Sequence, residues 1–232
     1  MQNYLSYGGG VNSTAMLLLL LDEGWEFEAV YVDHGCDWPE TRKYVAWLSK
    51  QMPITTIRPM VEGFSTVYDY FWHYKMVPSR TLRICTDKFK IRPLHRYFQR
   101  PCFDLIGFSS DEAHRAKFLV RDGITTRYPL LEYEIDREGC KRIIREHGLP
   151  VPPKSGCWFC PFQRIAQWKK LRKDYPELFC RANQLEERNR ERRRAEGREP
   201  SFLASRPLSQ IVNESQDALW EEYQYPPCRC EL

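Results

Sequence analysis

The chain has 232 residues, 42% hydrophobic and 28% charged, with a net charge of +4. That composition belongs to a globular protein long enough for one large domain, or one domain with an appendage, and its charge is too small to announce a nucleic-acid partner by itself. The leucine run 17–21 is too short to cross a bilayer and no basic, cleavable leader opens the chain, so a cytoplasmic protein with no membrane partner is expected; nine cysteines in such a chain point to metal or redox chemistry rather than a disulfide scaffold.

Tyr4-Leu5-Ser6-Tyr7 reads as a short strand, Gly8-Gly9-Gly10 as a tight turn, and Val11-Asn12-Ser13-Thr14 as the start of an apolar helix. Asn12 or Ser13 suits the cap of that helix. Such a turn leaves backbone N–H groups aimed into one concave spot, and the helix dipole adds partial positive charge, so an anion is favoured there. The loop is not a Walker loop, which needs Lys and then Ser or Thr after its last glycine, nor a Gly-x-Gly-x-x-Gly dinucleotide turn. Glycines that serve only the turn remain an alternative.

Glu28 to Val32 reads as a second strand ending at Asp33-His34-Gly35. A helix follows from Pro39 through Tyr44, Val45 and Leu48, and a third strand covers 54–58. This rhythm predicts an α/β fold, a parallel sheet flanked by helices with ligands beyond the carboxyl ends of its strands. The glycine turn and Asp33 should then face one crevice. The aromatics from Phe64 to Tyr74 suit a helix covering the sheet.

Seven cations follow, Arg80, Arg83, Lys88, Lys90, Arg92, Arg96 and Arg100, against the single acid Asp87. That one-sided bias favours an anionic partner, either nucleotide phosphates or a nucleic-acid backbone; a solvated basic face is the bland alternative. Cys102 to Gly107 reads as the next strand, Tyr128-Pro129-Leu130 as a short extended piece, and Asp136 to His147 as an amphipathic helix stopped by Gly148. The proline-rich connector 149–153 sets a boundary between a nucleotide-binding part, 1–150, and a C-terminal part, 151–232.

Cys157-Trp158-Phe159-Cys160-Pro161 places two thiolates where one metal centre can take both. An iron–sulfur site, a structural zinc site and no metal all remain open, although a zinc ribbon would supply a second Cys-x-x-Cys. Cys36, Cys102 and Cys140 read as ordinary thiols packing as small hydrophobes. Asp174-Tyr175-Pro176 looks like a cap and first turn of a helix through Leu178, Phe179, Ala182 and Leu185. Its Arg-rich end, 186–194, is either a solvated helix end or a nucleic-acid contact. One more helix, starting near Pro207, is expected within 202–220. Cys228 and Cys230 then sit on a proline-fixed tail, either to ferry sulfur or as an inert end.

Four of these stretches carry a family resemblance, covering roughly residues 1–165. The first resembles the pyrophosphate loop, Ser-Gly-Gly-x-Asp-Ser, of the adenine-nucleotide alpha-hydrolase (PP-loop) superfamily. Gly9, Gly10 and Ser13 match it, whereas Gly8 and Asn12 depart from it. Asp33, Gly35, Pro39, Glu40 and Thr41 resemble the Asp-Thr-Gly-x-x-x-Pro-Glu-Thr motif of the sulfonucleotide reductase branch. Cys85, Lys90, Pro93 and Leu94 resemble its Cys-Cys-x-x-x-Lys-x-x-Pro-Leu motif, with Thr86 replacing the second Cys. Gly107, Glu112 and Arg115 resemble its Gly-x-x-x-x-Glu-x-x-Arg loop, in which the Arg reaches phosphate.

The resemblance implies a Rossmann-like nucleotide-binding fold with a helical C-terminal extension. It implies ATP held by Ser6, Gly8, Gly9, Gly10, Val11, Asn12 and Ser13, adenosine near Asp33, and charge stabilised by Arg115 and Mg²⁺. Asn12, Ser13, Lys90 and Arg115 are the implied catalytic residues. Cys85, Cys157 and Cys160, with Cys180 as one choice of fourth ligand, are the implied holders of a [4Fe-4S] cluster, with Zn²⁺ the alternative.

The activity so implied is ATP pyrophosphatase and sulfurtransferase chemistry on a tRNA or DNA acceptor, fed by a sulfur donor such as a cysteine desulfurase. A thiol-dependent sulfonucleotide reductase and a non-catalytic nucleotide- or nucleic-acid-binding module are the alternatives. The oligomeric state is open, a dimer being one choice.

Overall fold

The computed structural model describes residues 1–211. The remainder of the expected last helix and the Cys228 and Cys230 tail lie outside the described residues. Six strands form one sheet: β1 (Gln2–Tyr7), β2 (Glu28–Val32), β3 (Ile54–Ile57), β4 (Cys102–Leu105), β5 (Val120–Arg121) and β6 (Ile124–Arg127). Their order is β3-β2-β1-β4-β6-β5, and all neighbours are parallel except the β5–β6 pair. Leu5 registers with Ala29 on one side and Leu105 on the other. The chain winds outward from β1 in one direction through β2 and β3, then returns to β1's other side as β4. That reversal opens a crevice beyond the carboxyl ends of β1 and β4, where an open α/β sheet places its ligands.

The helices are α1 (Val11–Asp22), α2 (Pro39–Leu48), α3 (Val67–His73), α4 (Ile84–Thr86), α5 (Arg92–Tyr97), α6 (Pro129–Glu132), α7 (Arg137–Glu146), α8 (Ile165–Asp174), α9 (Pro176–Ala195) and α10 (Leu208–Ile211). One face of the sheet is covered through Leu5, Ala15, Met16, Leu18, Val45, Leu48 and Ile144, from β1, α1, α2 and α7. The other is covered through Leu94 and Phe98, which pack with Tyr4, Val30, Val32 and Ile124. A third cluster joins the loop after β2 (Cys36, Trp38) to α3, the Cys-x-x-Cys segment (Trp158, Phe159), Trp168 of α8, and Ala182 and Leu185 of α9. Residues beyond 151 therefore share a core with residues from the first half of the chain.

Several elements differ from the sequence reading for local reasons. Gly10, not Asn12 or Ser13, caps α1; Ser13 sits inside the first turn, and Gly10 N–H donates to its hydroxyl at 3.3 Å. Pro129 opens α6 rather than ending an extended piece, and the β5–β6 hairpin stands just before it. Asp174 ends α8, so Tyr175 caps α9 and Pro176 is its first residue. Part of the Arg-rich end of α9 is engaged within the chain. Arg188 donates to Trp72 O (3.3 Å), Asn189 to Lys75 O (3.0 Å) and Arg192 to Tyr74 O (3.0 Å). These carbonyls belong to the last turn of α3, its cap Tyr74 and the residue after that cap, so the basic helix end is tied to the segment that leaves α3.

Candidate functional site

The glycine turn closes on the Ser13 hydroxyl, which lies 3.2 Å from Gly8 N and 3.3 Å from Gly10 N. Gly9 takes φ +69°, and a Cβ there would meet Val45 Cγ2 at 2.7 Å, so only glycine fits both the backbone and the space. A second close approach comes from the loop after β4. A Cβ on Gly107 would lie 3.2 Å from Ser13 N and 3.3 Å from Asn12 C. The two loops at the switch point thus touch backbone to backbone. Ser6, Gly8, Ser13 and Gly107 line the resulting crevice with Tyr31, Asp37 and Lys90.

Asn12 turns away from the crevice. Its amide donates to Ser109 Oγ (3.1 Å) and Glu112 Oε2 (2.7 Å), and its carbonyl oxygen accepts from Arg137 Nη1 (3.0 Å). Glu112, buried, pairs in turn with Arg115, whose guanidinium lies 4.4 Å over the Phe108 ring. Asn12 and Arg115, both sequence candidates, therefore belong to one polar network that ties the α1 turn to the 109–115 loop. Asp33 directly follows β2 and accepts from Gly35 N at 3.1 Å. Arg42 and Arg58 approach its other oxygen at 3.6 and 3.7 Å. It does not line the crevice; Asp37, four residues on, does.

The loop after β2 is pinned to the Cys-x-x-Cys segment by backbone. Asp37 and Cys157 form an antiparallel bridge, Trp38 N donates to Gly156 O and Trp158 N to Cys36 O, both at 3.0 Å. This brings the His34 ring nitrogen Nε2 within 3.2 Å of Asp37 Oδ1 and 3.8 Å of Cys157 Sγ. Cys36 N donates to Nδ1 at 3.3 Å, which assigns the ring proton to Nε2. Burial raises the Asp37 carboxyl, but His34, Lys90 and the Tyr31 hydroxyl (2.5 Å) outweigh it and hold the group down at about 2. Burial pushes the Cys157 thiol well above its ordinary value, with Lys90 opposing. Cys36 and Cys140 are likewise pushed up to about 12 by burial, as befits packed thiols.

Cys85, Cys157 and Cys160 come together. They line one apolar pocket with His34, Thr86, Phe159 and Lys90. Thr86, where the resembled motif has its second Cys, faces that pocket. Cys180 lies exposed on α9 and is not among the lining residues. Arg80 braces the segment from outside, donating to Pro161 O at 2.9 Å. Lys90 lines both the thiol pocket and the glycine-turn crevice. His34 and Asp37 were not singled out from the sequence. Their signal was present as a His and an Asp three residues apart inside a strand-end motif, but only the backbone bridge to Cys157 gives it meaning.

Residues 2–118 match the family model of the phosphoadenosine phosphosulfate reductase domain. Two uncharacterised proteins of Methanocaldococcus jannaschii, MJ0066 and MJ0973, are 23% and 21% identical over 198 and 206 residues. Each match covers 75% of this chain but only 39% and 45% of the relatives, so the chain spans less than half the length of the curated relatives it matches. Among solved structures, the phosphate complex of a phosphoadenylyl-sulfate (PAPS) reductase from Candida auris is similar at a TM-score of 0.49 and 16% identity, covering 68% of this chain and 82% of that one. No helix among the described residues is long and apolar enough to cross a membrane.

Proposed function

The chain belongs to the phosphoadenosine phosphosulfate reductase domain family, and from that premise we propose that it is an ATP pyrophosphatase and sulfurtransferase acting on a nucleic-acid acceptor. The observation that carries this reading is the position of Lys90, in the wall of the glycine-turn crevice and of the three-thiol pocket at once. Phosphate chemistry and sulfur chemistry then meet across one side chain.

The triphosphate lies against the amides of Gly8 to Ser13, with Mg²⁺, and Lys90 neutralises charge as it develops. An acceptor oxygen attacks the α-phosphorus, its bond to phosphorus forms, and pyrophosphate leaves. A sulfur nucleophile then displaces AMP, so the acceptor oxygen departs with the nucleotide and a bond to sulfur replaces it. Asn12 and Arg115 act from behind, by fixing the turn against the 109–115 loop.

The thiol set has the donor chemistry of a soft metal centre, although the donor atoms that lie within 4.8 Å of one another are those of His34, Asp37 and Cys157. Cys85, Cys157 and Cys160 line one apolar pocket, and Cys157 keeps its proton in the absence of a cation because burial disfavours the thiolate. An iron–sulfur cluster on these three would supply a holder for sulfur beside the nucleotide; zinc is the alternative occupant. The reductase reading, thiol attack on adenylyl sulfate, draws on the family description.

The test uses protein purified without oxygen. Iron and acid-labile sulfide are assayed, pyrophosphate release from ATP is followed with and without tRNA or DNA, and sulfite release from adenylyl sulfate is followed with a thiol reductant. Pyrophosphate release that rises with nucleic acid is the expected result. Sulfite release with no ATP cleavage would overturn the proposal in favour of the reductase.

A further inference from the structure

The basic segment noted in the sequence does not act as one patch. Its helical stretch, 84–97, has a π-helical turn at Asp87–Ile91 and presents two faces. Lys90 and Leu94, four residues apart, face the nucleotide crevice. Asp87, Ile91, Arg92, His95 and Arg96 fall on the other side and line a separate groove of about 320 Å³ with Arg100, Arg121 and Asp122. The two sites share no lining residue.

The groove ends low on the sheet. Arg100 stands two residues before the start of β4, and a Cβ on Gly123, in the β5–β6 turn, would lie 3.4 Å from Arg100 Cβ. That is the amino-terminal edge of the strands, away from the crevice at their carboxyl ends. Four arginines face two acids there. Arg92 is paired with Asp87 at 2.6 Å, Arg121 approaches Asp122 at 3.4 Å, and Arg100 donates one Nη to His95 O at 2.9 Å. The balance is two net positive charges on a concave surface, and Arg92, Arg96, Arg100 and Arg121 are all exposed. Planar guanidinium groups pair two phosphate oxygens at once, and four of them spread along a groove offer more such forks than a single compact anion can use.

We propose that this groove binds the phosphodiester backbone of a nucleic acid, as an anchor separate from the nucleotide crevice. It places the acceptor of the sulfur-transfer reading, and so rests on that reading for its role but not for its existence. Because Lys90 and Arg92 stand on opposite faces of one short helical stretch, a strand held in the groove lies against the element that also lines the reaction crevice.

Fluorescence anisotropy with labelled single-stranded DNA, duplex DNA and tRNA tests it, without ATP or metal. Wild-type protein should bind at least one of these with an affinity that falls steeply with salt. The combined Arg96→Ala and Arg121→Ala variant should bind about tenfold more weakly and lower the salt slope by about 2. Arg145→Ala, on α7 and outside the groove, should leave both unchanged. ATP binding by the double variant, followed calorimetrically, should match wild type and show that the fold survives. No salt-dependent binding to any probe, or an unchanged affinity and slope in the double variant, would overturn the groove while leaving the pyrophosphate assay free to stand or fall separately.

Discussion

Asn12 donates to Glu112 across 2.7 Å, inside a network that also holds Ser109, Arg115 and Arg137. The resembled loop motif has Asp at this position, and here an amide is what lets a buried carboxylate sit against it. Replacing Asn12→Asp sets two carboxylates in contact, so one of them must keep its proton at higher pH than usual. A raised acid pKa in the folded state means stability that is present at low pH and lost as pH rises through it. Arg137 and Arg115 offset part of the repulsion, so a loss of about 1–2 kcal/mol is expected at pH 8, vanishing toward pH 4. Urea unfolding across that range checks it. Adding Glu112→Gln should flatten the pH dependence, and a flat profile for Asn12→Asp alone would contradict this account.

Gly107 is the second half of the same switch-point contact. Alanine there brings a methyl group 3.2 Å from Ser13 N and 3.3 Å from Ser13 Cα, both backbone atoms that no rotamer change can move. The glycine turn must shift by a few tenths of an ångström, and its amides shift with it. An ATP affinity about tenfold weaker, or ~1.4 kcal/mol, is expected by titration calorimetry with Mg²⁺ present. An unchanged affinity would place the triphosphate elsewhere.

His147 closes α7 against the end of α1. Nδ1 lies 2.8 Å from Ile143 O and Nε2 lies 3.1 Å from Asp22 Oδ2, and the backbone carbonyl, then Asp22, raises the imidazole above its ordinary value. A raised histidine contributes stability that is complete below its unfolded value and disappears as pH rises through the folded one. His147→Ala should therefore cost about 0.5 kcal/mol near pH 5.5, the pair being partly solvated, and almost nothing near pH 8.5. Chemical denaturation at the two values tests this; an equal loss at both would mean that packing rather than charge is involved.

The parts of the fold legible in the sequence were those with local signals. Gly8-Gly9-Gly10 marks the first turn, Pro39 opens α2 as its first residue, and Asp136 caps α7 by accepting from Gly139 N. Pro161 suggested a helix after the Cys-x-x-Cys pair, but α8 begins only at Ile165, and with just Trp168 and Leu171 of its ten residues buried its apolar stripe is too thin to mark the start among lysines and arginines. The β5 strand escaped because both of its residues are exposed. At the site, Cys85 and Lys90 were visible as a spaced motif and do meet Cys157 and Cys160. Asp37 and His34 were not, because their role depends on a β-bridge to a segment far along the chain. The partners of Asn12 in the 109–115 loop and at Arg137 were not legible either, since a side chain's aim at a helix start is set by what the next loop offers it.

Lys90 is where the two halves of the proposed chemistry can be separated. Its side chain lines the crevice with Ser6, Gly8 and Ser13, and the thiol pocket with Cys85, Cys157 and Cys160. If it serves only as a counter-charge to bound phosphate, Lys90→Ala should weaken ATP binding and slow pyrophosphate release by similar factors, and Lys90→Arg should restore both. If it also stabilises charge that develops on the leaving group, turnover must fall further than affinity, because only interactions stronger in the transition state change the chemical step. The geometry favours the second outcome, since the same side chain borders both the phosphate turn and the thiol pocket. The expected result is a loss of at least a hundredfold in kcat with an ATP Kd raised less than tenfold, measured by single-turnover pyrophosphate release and calorimetry on the same samples. Equal losses in the two measurements would reduce Lys90 to a binding residue and remove the link between nucleotide and thiols.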